Sequence, residues 1–280
     1  MIRVTAPAKI NFFLEITGKR PDGYHTLSTV FQTISLGDEL TFSPAKDLSL
    51  TCSDPRLPTD EKNLVMRAAM RLRETLKETR GAQIHLEKKV PMGAGLGGGS
   101  SDAASVLVSL LKLWEKSLPA DQLASLAVKL GADVPFFLKG GLCMAVGIGD
   151  KLKPLPALPK TWMVLVYPGF GVSTKEAYAK VRLPFKTPSE CSVGPGPNLK
   201  PGVFLGQAPK LFNRFEELVF PDHPELPKLK ADLLAAGATG ALMSGSGSSV
   251  FGVATNEAHG NQILSAIQKK YNHCWLVHTI

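Results

Sequence analysis

A chain of 280 residues, 44% apolar and 20% charged, is long enough for a large core and has the balance of a globular protein. Its formal net charge of +8 suits an anionic partner such as a nucleotide, yet no run of Lys and Arg exceeds two residues, which excludes a polybasic nucleic-acid arm. Four scattered cysteines (Cys52, Cys143, Cys191 and Cys274) and six histidines without ligand spacing exclude a zinc motif, a redox pair and an H-E-x-x-H site.

The first residues, MIRVTAPAKI, lack the apolar core of a signal peptide. The longest helical apolar stretch, AASVLVSLL, is too short to span a bilayer, so a cytoplasmic protein is expected. In chain order, RVTAPAKINFFLEI reads as a strand. Ile10, Phe12, Leu14 and Ile16 alternate with Lys9, Asn11, Phe13 and Glu15, which puts Lys9 and Asn11 on the side away from the core. RPDGYH is a turn, TLSTVFQTISL a second strand and DELTF a third. Over 62–80, Leu64, Ala68, Leu72 and Leu76 fall at helical spacing, with Arg80 and Gly81 as the stop. AQIHLEKKVP returns as a strand, and a helix is predicted from Ser101 to about Glu115. PADQLASLAVKLGA is a further helix that Asp121 is placed to cap.

The glycine and proline breaks over 147–160 read as a linker, dividing an N-terminal domain, 1–153, from a C-terminal one, 154–280. Beyond it come a buried strand (TWMVLVYP), a helix starting at STKEAYAKV and a Pro/Gly-rich loop over 184–202. PELPKLKADLLAAGA is a helix, GALMSGSGSSVFGVA a strand, glycine turn and strand, NEAHGNQILSAIQKKY a helix and CWLVHTI a last strand. This mixed order favours an α+β fold.

Between strand and helix lies PMGAGLGGGSSDAAS, in which five of the seven residues from Gly93 to Gly99 are glycine. Glycine is costly to order, so such a density points to backbone N–H groups that must approach something, and a helix N-terminus behind them favours an anion. The Walker pattern fails because no lysine follows the glycines. Gly93, Gly95 and Gly98 match G-x-G-x-x-G in form, but the acidic residue ending a second strand about 20 positions on is missing. A different phosphate cradle remains, with Ser100 and Ser101 adding hydroxyls. Asp133, in LGADVPFFL, is a carboxylate among apolar residues, either a base or the cap of a short helix. Lys9 is a solvated strand lysine or a cation aimed at a phosphate. Tyr24 and His25 form hairpin packing or a base-binding pair, and SGSGSS at 244–249 is a tight hairpin or a second ligand turn.

Pro7-Ala8-Lys9, the segment Pro91 to Ser101 and the glycine motif Met243 to Ser249 together resemble the GHMP kinase superfamily. The resemblance implies a two-lobed α+β fold: an N-terminal ribosomal-protein-S5-like α/β lobe, a C-terminal ferredoxin-like α+β lobe, and ATP and acceptor held in the cleft. PAKINFFLEITGKRPDGYHTL, LGADVPFF and MSGSGSSVFG are similar to members acting on the 2-hydroxyl of a cytidyl-linked sugar alcohol in non-mevalonate isoprenoid precursor synthesis. It implies Asp133 as general base and Lys9 as its charge partner. The ATP phosphates would lie on Pro91, Met92, Gly93, Ala94, Gly95, Leu96, Gly97, Gly98, Gly99, Ser100 and Ser101, with Mg²⁺ bridging them, and Asn63 and Lys88 near the adenosine. On the acceptor side it implies Asn11, Tyr24, His25 on the cytosine edge, Phe31, and Tyr178 stacked on the base. Asp102 departs from the pattern, in which a relative carries Asn. The implied partner is a small cytidyl substrate, with neither nucleic acid nor membrane, for a monomer or homodimer. A basic nucleic-acid-binding module, a non-catalytic nucleotide binder and another small-molecule GHMP kinase are the alternatives.

Overall fold

The computed structural model describes residues 1–183, 185 and 211–280; apart from Phe185, the loop expected over 184–202 lies outside the described residues. The chain forms two compact units that interleave along the sequence. One comprises 1–8, 36–92 and 97–140, the other 9–35, 93–96 and 141–280. Two long strands, β1 (Ile2–Lys19) and β2 (His25–Ala45), contribute to both.

The first unit builds its sheet from β2, β3 (Leu48–Cys52) and β4 (Gly81–Glu87). β3 runs parallel to β4, with Leu50 opposite Ile84, and β4 runs antiparallel to β2, with Phe42 opposite Ile84. β2 is one strand where the sequence suggested two. Gly37, which falls between the two expected strands, lets β1 pass close by: a Cβ there would meet Ala6 O at 2.7 Å. The sheet shares one core with α1 (Leu64–Leu76), α2 (Gly98–Leu113), α3 (Ala120–Leu130) and α4 (Val134–Phe137), centred on Phe42, Leu72, Ile84, Val106, Leu107 and Trp114. α1 ends at Lys77, which takes the left-handed conformation (φ 49°) ahead of the expected Gly81 stop. α2 begins three residues earlier than expected, because Gly97 at φ 69° already turns the chain into the helix. Asp121 does not cap α3; Pro119 stands at the cap and Asp121 lies in the first turn, where its charge suits the helix dipole.

In the second unit, β5 (Leu142–Gly147) pairs antiparallel with residues 27–32 of β2, and β6 (Lys151–Pro154) pairs with β5. The stretch 147–160 therefore contains a hairpin strand rather than a plain linker. β7 (Trp162–Tyr167) leads through α5 (Thr174–Ala179) to β8 (Phe212–Asn213), which adds in parallel to β1 at Phe13 and Leu14. α6 (Phe215–Val219), a 3₁₀ turn at 220–222 and α7 (Glu225–Ala235) follow, then β9 (Gly240–Met243), β10 (Val250–Ala254), α8 (Glu257–Ile267) and β11 (His273–His278). The last sheet is antiparallel in the order β11-β7-β10-β9, with α7 and α8 packed on it. That is the ferredoxin-like β-α-β-β-α-β arrangement, around a core of Val164, Val166, Leu229, Leu233, Val250 and Ile263. Among the described residues no helix is long and apolar enough to cross a membrane.

Candidate active site

In the second unit, all four carbonyls from Gly93 to Leu96 accept hydrogen bonds from other parts of the chain. Val172 N–H donates to Gly93 O (3.0 Å), Ser249 N–H to Ala94 O (3.1 Å), the Ser244 hydroxyl to Gly95 O (2.9 Å) and Lys9 N–H to Leu96 O (2.9 Å). Gly95 sits at φ 75°, and a Cβ there would lie inside the van der Waals surface of the Ser244 carbonyl oxygen. The two glycine turns, 93–96 and 244–249, thus lie backbone against backbone. Asn213 braces the second turn with its Nδ2, donating at 2.7 Å to both Met243 O and Gly245 O, while Glu216 accepts from Met243 N–H at 2.9 Å.

Lys9 and Asn11 are 4% and 1% exposed, so the strand face that alternation assigned away from the core is buried too. The Lys9 ammonium donates to Asn11 Oδ1 at 2.8 Å and to Gly95 O at 2.9 Å, and lies 5.3 Å from the centre of the Phe31 ring. A buried cation is tolerable because it is hydrogen-bonded on several sides. His25 and Tyr178 stack, with centroids 5.3 Å apart and planes 14° from parallel, and Phe215 meets Tyr178 edge-on at 4.9 Å. Burial, helped by the charge of Lys19, lowers the His25 pKa and keeps its ring neutral at neutral pH. Tyr24 is 62% exposed.

In the first unit the N-terminus of α2 carries no side-chain cap. Ser101 N–H bonds back to Gly97 O, and the N–H groups before it have no acceptor within the helix. Gly99 is exposed, and a Cβ there would meet nothing within 4 Å. Pro91, Met92 and Ser100 are half-buried, whereas Ala94 and Leu96 in the second unit are buried and serve as packing. Ser101 Oγ and Asp102 Oδ1 are buried without a hydrogen-bond partner. Lys88 bonds to Asp38 and, at 3.1 Å, to Asp102. Asp38 also accepts the N–H groups of Lys89 (2.6 Å) and Val90 (2.8 Å), so it draws more donors than Asp102 does. Burial pushes the Asp102 carboxyl up to about 8; Lys88 pulls it down and the Asp38 charge adds to the rise. Burial works against the Lys88 charge, but the two carboxylates outweigh it and raise its pKa. Asn63 caps α1, its Oδ1 accepting from Val65 N–H at 3.0 Å and its Nδ2 donating to Pro58 O at 2.7 Å. Asp133 is half-buried just ahead of α4, and its side chain makes no capping bond there.

A helix N-terminus with open N–H groups and bare glycine is an anion site. Comparison with known proteins identifies the family. The families described as GHMP kinases N terminal domain and GHMP kinases C terminal match residues 63–141 and 199–273. A curated relative from Chloroherpeton thalassium, 4-diphosphocytidyl-2-C-methyl-D-erythritol kinase, is 41% identical over 278 residues, covering 96% of this chain and 94% of the relative. The chain belongs to this kinase family. A Chlorobium phaeobacteroides member of the family is 46% identical over 260 residues, covering 90% of this chain and 88% of its own. A crystal structure of 4-(cytidine 5'-diphospho)-2C-methyl-D-erythritol kinase superposes with a TM-score of 0.83 at 38% identity, over 99% of both chains. Like its relatives, the chain is a small-molecule kinase of the GHMP type with an α+β fold.

Of the residues that family resemblance singles out, the second unit joins Lys9 with Asn11, Phe31 and Gly95, and His25 with Tyr178. The first unit sets the Lys88 ammonium 3.3 Å from where a Cβ on Gly98 would stand. Sequence reasoning missed Asp38, Thr29, Asn213 and Glu216. Asp38 reads as the first residue of the expected strand DELTF, and the others are single polar residues in or beside apolar segments, so no local signal marks them.

Proposed function

We propose that this kinase transfers the γ-phosphoryl group of ATP to the 2-hydroxyl of 4-diphosphocytidyl-2-C-methyl-D-erythritol, a step of non-mevalonate isoprenoid precursor synthesis. The observation that carries the reading is the Lys9 ammonium seated on the Gly95 carbonyl, which fixes a buried cation to the glycine loop. The acceptor oxygen attacks the γ-phosphorus as the bond to the β–γ bridging oxygen breaks and ADP leaves. Asp133 takes the hydroxyl proton. Lys9 supplies fixed positive charge where negative charge develops, in surroundings too dry to screen it. The open N–H groups of Gly98, Gly99 and Ser100 hold the phosphates at the positive end of α2. On the acceptor side, the stacked pair His25 and Tyr178 supports the reading: Tyr178 would stack on cytosine and His25, its pKa lowered, would meet the base edge.

Mg²⁺ belongs to the proposal. Among the described residues no three His, Cys, Asp or Glu side chains cluster as ligands. A cation that bridges phosphates needs only one or two protein oxygens, and Ser101 Oγ, lacking any hydrogen-bond partner, fits as one. Bound there, Mg²⁺ would neutralise phosphate charge. The reading also takes the enzyme as cytoplasmic, a monomer or homodimer with no nucleic-acid or membrane partner, and its lobes as dividing at 153/154.

Replacing Asp133 by Asn tests the mechanism. Turnover should fall by about 10²-fold or more, as expected for loss of a general base, while calorimetry still detects ATP binding. Near-normal turnover would remove Asp133 from the reaction.

A further inference from the structure

Behind Lys9 lies a chain of buried hydrogen bonds whose direction can be worked out atom by atom. Thr29, on β2, is fully buried, and its hydroxyl donates to Phe13 O at 2.6 Å. A hydroxyl has one proton, so toward any other neighbour Thr29 can only accept. The neighbour is Asn11, whose amide nitrogen stands 2.7 Å from Thr29 Oγ1. Its other end, Oδ1, faces the Lys9 ammonium at 2.8 Å. An ammonium is a donor only, so it requires the amide oxygen. Flipping the Asn11 amide would set NH₂ against NH₃⁺ and carbonyl oxygen against a hydroxyl oxygen whose proton is already committed. Two buried bonds would be lost together.

We infer that Thr29 is a positioning residue: it fixes the amide of Asn11, and through it the place of the Lys9 ammonium on the Gly95 carbonyl. The inference rests on the catalytic reading of Lys9 given above. It also adds to the part expected of Asn11. One amide N–H and one Oδ1 lone pair are committed inside the protein, so holding Lys9 is work it does beside any contact with the acceptor.

Thr29→Val keeps the branched shape a strand favours and removes the acceptor. With ATP and the cytidyl acceptor, kcat should fall about tenfold, the rate equivalent of one buried hydrogen bond, while both KM values stay within about twofold. Thr29→Ser should restore kcat, because it keeps the hydroxyl. A role in folding alone would move thermal stability but not this split. The two residues act as one unit, so Thr29→Val added to Asn11→Ala should lower kcat no further. Should Thr29→Val fail to fold, Thr29→Ala carries the same comparison. The inference is overturned if Thr29→Val turns over like the parent while Lys9→Ala is inactive, or if its effect is undiminished in the Asn11→Ala background. Full turnover by Lys9→Ala would instead overturn the catalytic reading of Lys9 itself.

Discussion

Gly95 and Gly99 stand four residues apart in one glycine-rich segment, and the structure gives them opposite surroundings. Gly95 is at φ 75° with the Ser244 carbonyl pressed against it; Gly99 is exposed with open space above it. Gly95→Ala should therefore damage the fold. The left-handed conformation costs a residue bearing a Cβ about 1–2 kcal/mol, and overpacking against fixed backbone adds about 1–3 kcal/mol. The sum, about 2–5 kcal/mol, is a large part of the roughly 5–15 kcal/mol that holds a domain together. Melting should drop by about 4 °C or more. Gly99→Ala lies in the first turn of α2, where alanine is the better helix former by up to about 1 kcal/mol, so stability should hold or rise. On the proposed reading, however, its methyl group would stand where the phosphates approach the backbone. ATP affinity should fall about tenfold or more. Thermal unfolding and titration calorimetry of both variants give the two readouts. A stable Gly95→Ala protein would refute the packing account of the first glycines. Parental ATP affinity in Gly99→Ala would refute the phosphate account of the later ones.

The buried Asp102 makes stability depend on pH. Its carboxyl is pushed up to about 8 from an ordinary 3.8, so between those values the folded chain holds a proton that the unfolded chain has lost. Stability from this group falls as pH rises through that window and is lowest above about 8. Asp102→Asn should gain stability on the parent from pH 5 to pH 9 in urea melts, and a pH-independent difference would contradict the assignment. Tyr178→Leu should raise KM for the cytidyl acceptor about tenfold, the scale of one base–aromatic stack, with KM for ATP unchanged. An unchanged acceptor KM would separate the His25–Tyr178 stack from substrate.

Much of the ferredoxin-like sheet was legible because β7, β9, β10 and β11 are short apolar runs bounded by Gly, Pro and polar turns. Where reading failed, a distant partner had overruled a local rule. Lys9 and Asn11 alternate with apolar residues and so read as the side away from the core, but Gly95 and Thr29 bury them. Gly97 and Gly98 read as loop, since glycine disfavours helix, yet α2 starts at Gly98. The pressing of Gly95 on Ser244, 149 positions away, leaves no mark in either segment. The motifs at Lys9, 91–101, Asp133 and 243–249 were legible as separate pieces through family resemblance. The bonds that hold Lys9 in place are a property of the folded chain alone.

The central claim is a reaction, and direct turnover tests it best. The protein is incubated with ATP, Mg²⁺ and 4-diphosphocytidyl-2-C-methyl-D-erythritol, and ADP and the phosphorylated product are followed together by phosphorus NMR. The account predicts one ADP per acceptor consumed, with the new phosphate on the 2-hydroxyl and no comparable turnover of mevalonate or homoserine. Absence of ADP with the cytidyl acceptor, or turnover only of an acceptor that carries no base, would contradict it.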